Sequence, residues 1–132
     1  GLAIKLFEYN SKDLFDLLCE FVINNKNKNI TIIDKHFNLL KDTQNKAIFI
    51  NIFFKLFTNL LIKALKLKSK ISPKFLSKKE EEAINKLSKE VSFDNLFMVL
   101  EYAQNLNSDI NSYNIDIKNS IYATLIKLKN TF

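Results

Sequence analysis

The chain has 132 residues and a mass of 15.4 kDa, with 47% apolar and 26% charged residues, which suits one packed domain and argues against disorder. The net charge is +6, and all twenty basic residues are lysine. One glycine and one proline leave almost nothing to build the tight turns of β-sheets or glycine-rich phosphate loops, which excludes Walker A and Rossmann sites within these residues. The composition predicts an all-α protein.

The N-terminal part of the chain predicts two helices with a break between them. Residues 2–9 have the pattern of a helix that ends at Asn10, and Ser11 is then placed to cap a second helix reaching about residue 25. A polar loop and a short capped helix follow before residue 42. We therefore divide the chain into residues 1–10, the end of a helix or linker from a preceding module, and residues 11–132, one helical domain. Because the chain begins without methionine, we expect it to be part of a longer protein or a processed chain.

The longest predicted helix spans residues 44–69 and should lie at the centre of the fold, because apolar side chains cover more than half of its circumference. Six polar residues interrupt residues 47–67, so we do not expect a membrane span. A narrow polar stripe remains on this helix. Its lysines are candidates for electrostatic contact with a partner: Lys55, Lys63, Lys66 and Lys70.

Two capped helices and a terminal helix are predicted after Pro73, with a non-helical link over residues 71–76. Ser77 and Glu80 form a capping box for a helix to about residue 89, and Ser92 caps the next one. An Asn- and Ser-rich break is expected over residues 105–114, and the last helix should start near residue 115. The apolar positions expected to face the core are Ala83, Ile84, Leu87, Phe93, Leu96, Phe97, Leu100, Ala103, Ile117, Ile121, Leu125 and Leu128. The whole predicts a bundle of five to six helices.

Few residues could carry chemistry. A metal site needs several converging ligands, whereas His36 is the only histidine and Cys19 the only cysteine. We expect a structural or surface role for His36, a buried apolar role for Cys19, and no metal or cofactor. The lone cysteine excludes an internal disulfide and fits a reducing cytoplasm. The acidic run of residues 80–82 is explained by its place in the first turn of a helix. The pattern therefore favours a protein that is not an enzyme.

The strongest anomaly is the charge distribution, since nine lysines and no acidic residue lie between Asp42 and Glu80. A solvated face, contact with an acidic protein partner, and contact with a phosphate backbone all remain open explanations. A single-strand binding platform would need aromatic residues among the lysines, and we expect the phenylalanines of the central helix to face the core instead.

Three regions give the chain a resemblance to a known family. These are the opening Gly1-Leu2-Ala3-Ile4-Lys5-Leu6, the apolar stretch of residues 53–65, and the ending Asn114-Ile115-Asp116-Ile117-Lys118 followed by Ile121 and Leu125. In this order they resemble the C-terminal domain of the delta-prime subunit of bacterial DNA polymerase III, of the alphaproteobacterial type. The sequence departs from that family in lacking its usual tryptophan and in carrying Ile117 where arginine is common.

The resemblance implies a helical collar domain that helps to assemble the complex that loads the sliding clamp in DNA replication. It implies no active site in this chain, a cytoplasmic location, and other clamp-loader subunits as partners, with weak or indirect contact to DNA and none to a membrane. We expect apolar surface on the last two helices as a subunit interface, at Met98, Tyr102, Tyr122 and Ile126. The alternatives are a lysine-rich helical domain that contacts DNA and a stand-alone adaptor.

Overall fold

The structure is a computed structural model that describes residues 2–24, 43–113 and 117–132. Five helices occupy these ranges, which contain no strand: α1 (Leu2–Ile23), α2 (Thr43–Lys68), α3 (Lys78–Glu90), α4 (Phe93–Tyr113) and α5 (Ile117–Lys129). The prediction of an all-α bundle around a central apolar helix is confirmed. The predicted short helix before residue 42, with His36, lies outside the described residues.

Helix α2 is the centre of the bundle, because it contacts each of the other four helices. Its bounds differ by one residue at each end from the predicted 44–69. Phe53 is fully buried, with its ring edge-on to Phe54 at 5.2 Å and stacked on Phe57 at 5.8 Å between centroids. Burying three aromatic rings on one helix removes much apolar area from water and explains why α2 organises the core.

By length and composition alone, one stretch of the described chain could cross a membrane. It is Ile48–Lys68, with a mean hydropathy of 1.7, and 44% of the window tested is buried inside the bundle. The central helix of a soluble protein passes the same test, and the other four helices pack around this one. The core position of α2 therefore accounts for its apolar character.

Two predicted helix breaks are wrong. Helix α1 runs unbroken through Asn10 and Ser11, and α4 continues through the Asn- and Ser-rich stretch to Tyr113. Asn and Ser cost only about half a kcal/mol each inside a helix relative to alanine, so neighbouring residues easily override them. In α4 the partly buried Leu106 continues the packed stripe of Val99 and Ala103 into that stretch.

The buried face of α4 differs from the predicted one. Leu96, Leu100 and Ala103 are buried as expected, but Phe93 and Phe97 are 49% and 52% exposed. Val99, absent from the predicted set, is fully buried and completes the stripe. The other predicted core positions whose side chains are described are buried as expected: Ala83, Ile84, Leu87, Ile121, Leu125 and Leu128. The side chain of Ile117 lies outside the described residues.

The ends of α2, α3 and α4 are closed by local hydrogen bonds. Ser77 and Ser92 cap α3 and α4 as predicted, their hydroxyl oxygens accepting from the amides of Glu80 (3.1 Å) and Asn95 (3.2 Å). Helix α2 ends in a Schellman motif, in which the amides of Lys70 and Ile71 donate to the carbonyls of Leu67 and Lys66. Lys70 has a φ of 64°, the left-handed conformation that usually selects glycine.

Candidate functional site

The four lysines predicted to share one electrostatic surface have three different environments. Lys55 and Lys66 are exposed on α2, whereas Lys70 lies in the turn beyond the helix end. Lys63 forms an ion pair inside the bundle, because its Nζ donates to Oε1 of Glu80 on α3 at 2.6 Å. The described structure therefore leaves three of the four exposed and uses the fourth to join two helices.

Glu80 is the buried polar centre of the α2–α3 junction, since its side chain is 1% exposed. Its Oε1 accepts from Lys63 and, at 3.4 Å, from the amide of Leu76, while its own amide donates to Ser77. Its Oε2 is buried with no hydrogen-bond partner among the described residues. The interpretation of residues 80–82 through the helix dipole alone is thus incomplete for Glu80. Its spacing of three, four and seven residues from Ala83, Ile84 and Leu87 was the signal that it faces the core.

Further lysines near α3 also bind within the bundle. Lys79 donates to Glu20 on α1 at 2.7 Å, and this hydrogen bond is the main reason that the pKa of Lys79 is raised. Lys68 donates to the carbonyl of Ser88 at 2.7 Å, and Lys86 donates to the carbonyl of Ile23. Part of the positive charge that is conspicuous in the sequence therefore serves to connect α1, α2 and α3.

Other lysines of the same region point into solvent. Their side chains are exposed and make no ion pair or hydrogen bond to other described residues: Lys55, Lys66, Lys70, Lys74 and Lys78. Such side chains are available to an acidic or phosphate-bearing partner, and exposed ammonium groups of this kind contribute little to the stability of the fold itself.

The four residues predicted as a subunit interface fall into two pairs. Met98 (42% exposed) and the half-buried Tyr102 are one turn apart on α4, and the half-buried Tyr122 and Ile126 (44% exposed) are one turn apart on α5. Lys127 places its Nζ 5.0 Å from the centroid of the Tyr102 ring. This contact brings α5 beside the pair on α4.

Phe93 and Phe97 form an exposed aromatic pair that the sequence did not reveal. They lie one turn apart on α4, so their side chains share one side of the helix. Gln104 lies on that same side, and it lines a cavity of about 190 Å³ against Asn51, Lys55 and Thr58 of α2. The two phenylalanines are each about half exposed on this side of α4.

Two candidate reactive features are relevant to the described residues: a metal-ligand cluster and the thiol of Cys19. No group of three or more His, Cys, Asp or Glu side chains within them could hold a metal ion. Cys19 is fully buried, as predicted, and burial is the main cause that raises the pKa of its thiol to about 12. A thiol so reluctant to ionise is a poor nucleophile. The features of the described surface that bear on binding are therefore the exposed apolar side chains of α4 and the exposed lysines.

No family model matches this chain, and neither the curated proteins nor the solved structures contain a match to it.

Proposed function

We propose that the chain is a non-catalytic helical assembly domain, the collar domain of a delta-prime-type subunit of the bacterial DNA polymerase III clamp loader, working in the cytoplasm. Its partners are the other subunits of that complex. Its role is to pack beside them, so the chain needs neither an active site nor a cofactor.

The observation that carries the proposal is the exposed apolar surface of α4. Phe93, Phe97 and Met98 are each between 42% and 52% exposed on two consecutive turns. Burying a phenylalanine side chain is worth about 1.5–3 kcal/mol, so leaving two of them half in water forgoes stabilisation that a partner can recover. Aromatic residues and methionine are also the types enriched in the cores of protein interfaces.

Most residues of the three regions that resemble the family lie in helices of the described structure. Residues 2–6 belong to α1, residues 53–65 form the middle of α2, and Ile121 and Leu125 are buried in α5. Gly1 and residues 114–116 lie outside the described residues. An all-helical bundle built around a buried middle helix supports the proposal but is shared with many other proteins.

Reconstitution tests the proposal. The full chain is mixed with the purified remaining clamp-loader subunits of its own organism, and the mixture is analysed by sedimentation velocity. We expect the chain to migrate with the complex and to remain with it after dilution. If it sediments alone at every concentration while the other subunits associate with one another, the proposal is wrong.

A second candidate function is contact with the phosphate backbone of duplex DNA through the exposed lysines of α2 and the following turn. Lys55, Lys66 and Lys70 favour it, because they are exposed and no acidic residue follows until Glu80. Titration of the chain with an unrelated duplex at several salt concentrations separates the two candidates. Binding that weakens steeply with salt supports DNA contact, and no binding at low salt removes it.

A further inference from the structure

The segment between α2 and α3, residues 69–77, exposes apolar and basic side chains together; we call it the α2–α3 connector. Leu76 is 80% exposed, the highest value among the exposed large apolar side chains of the described residues, and Ile71 is 56% exposed. Lys70 and Lys74 are exposed beside them, and Lys78 follows at the first residue of α3. Ile71 and Leu76 are thus two exposed aliphatic side chains in a stretch whose charged residues are all lysines, and such a combination is uncommon on a protein surface.

The α2–α3 connector is held in one conformation by contacts along its length. The Schellman motif fixes its start at Lys70 and Ile71, and Ser77 fixes its end as the N-cap of α3. Between them, Phe75 packs against the hydrophobic core, and the amide of Leu76 points to Glu80. The aliphatic side chains are therefore presented on an ordered backbone, which lowers the entropy cost of binding.

We infer that the α2–α3 connector is a docking site for an acidic protein surface that carries apolar pockets. Leu76 and Ile71 enter the pockets, and Lys70, Lys74 and Lys78 face the carboxylates around them. Ile71 and Leu76 are five residues apart, so their Cα atoms lie at most about 18 Å from each other. One protein interface of ordinary width can therefore contact both side chains. This site does not depend on the collar proposal, because that proposal rests on α4.

The combination of side chains favours a protein over a nucleic acid. Phosphate groups would bind the lysines but leave Leu76 and Ile71 in water, since base-free backbone contact offers no apolar pocket. In a protein interface, by contrast, apolar anchors supply most of the affinity, while the surrounding charges raise the association rate and select the partner.

A bilayer also fits less well. Phe75, the side chain of the α2–α3 connector best suited to the membrane interface, is packed against the core. Glu81 and Glu82 are exposed in the first turn of α3, so a broad anionic plane would meet both carboxylates. A protein surface of limited extent can end at Lys78.

The first part of the test identifies the partner in cells of the source organism. A photo-crosslinking amino acid replaces Leu76 in the full chain, and in a matched control it replaces the exposed Asn130 in the turn after α5. We expect one protein to be captured from position 76 and not from position 130. Equal capture at both positions, or no captured protein, would overturn the inference.

Capture alone does not decide the matter, so the captured protein is purified and its affinity measured by calorimetry. Leu76→Ser and the triple change Lys70→Gln, Lys74→Gln, Lys78→Gln should each weaken binding about tenfold or more. The triple change should also flatten the salt dependence. Lys89→Gln is the control, exposed in the last turn of α3, and should leave binding unchanged. Wild-type affinity in both connector variants contradicts the inference, as does connector-dependent binding to phosphatidylglycerol vesicles or a short DNA duplex instead of the protein.

Discussion

The α2–α3 junction and the exposed surface of α4 each contain side chains in an energetically unfavourable environment. The junction buries a carboxylate but pairs it, whereas α4 leaves two phenylalanines in contact with water. At the junction, the Glu80 side chain is 1% exposed, and its Oε1 accepts from Lys63 at 2.6 Å and from the amide of Leu76 at 3.4 Å. On α4, two phenylalanines remain about half exposed. A region that pairs its buried charge internally contributes to folding, whereas one that leaves apolar area in water is available to a partner.

The largest effect should come from removing a buried ring and comparing it with an exposed one. Phe53→Ala should lower the free energy of unfolding by about 3–5 kcal/mol, because it leaves a cavity in the centre of the bundle. Phe97→Ala should cost about 1 kcal/mol or less. Urea denaturation of both variants gives the two values. Equal losses would mean that α4 uses Phe97 for folding, and a loss below about half a kcal/mol for Phe53→Ala would refute the central position of α2.

The next comparison uses two lysines of the same helix. Lys63→Glu should cost about 3–5 kcal/mol, because it places a second carboxylate beside the buried Glu80. Lys66→Glu changes the charge equally at an exposed position and should change stability by less than about half a kcal/mol. Thermal and urea unfolding check both. If Lys63→Glu were as mild as Lys66→Glu, the ion pair across the junction would not contribute to the fold.

The smallest stability effect concerns the turn at the end of α2. Lys70 has a positive φ, which costs a residue with a Cβ about 1–2 kcal/mol, while glycine loses about 0.5–1 kcal/mol more backbone entropy on folding. Lys70→Gly should therefore stabilise the fold by about 0.5–1 kcal/mol, measured as a rise in the urea midpoint. Lys74→Gly, in the same segment, is the control and should not stabilise. A fall in stability for Lys70→Gly would show that the turn depends on the lysine side chain.

Features decided over a few residues could be predicted from the sequence. The caps at Ser77 and Ser92 each need only a hydroxyl three residues before an amide, and both are present. Helix α2 was predicted to within one residue at each end, because its apolar period persists over seven turns.

Features decided by how helices cross could not be predicted. The partner of Glu80 lies 17 residues away on another helix, and nothing local selects Lys63 over neighbouring lysines. On α4, the predicted apolar face and the observed one share Leu96, Leu100 and Ala103. Helical spacing allows either Phe97 or Val99 to join Leu96, Leu100 and Ala103 on the buried face of α4. Only the packing against α2 and α5 decides which of the two is buried.

The most direct test of the central claim, that the exposed surface of α4 is an assembly surface, is the affinity of Phe97→Asp for the reconstituted clamp-loader subunits. The charge lies on a half-exposed position, so the isolated fold should survive, as circular dichroism can check. Asn59→Asp adds the same charge at an exposed position of α2 and is the matched control. We expect Phe97→Asp to weaken association by about tenfold or more and Asn59→Asp to leave it unchanged. Equal, wild-type affinity in both variants would contradict the central claim.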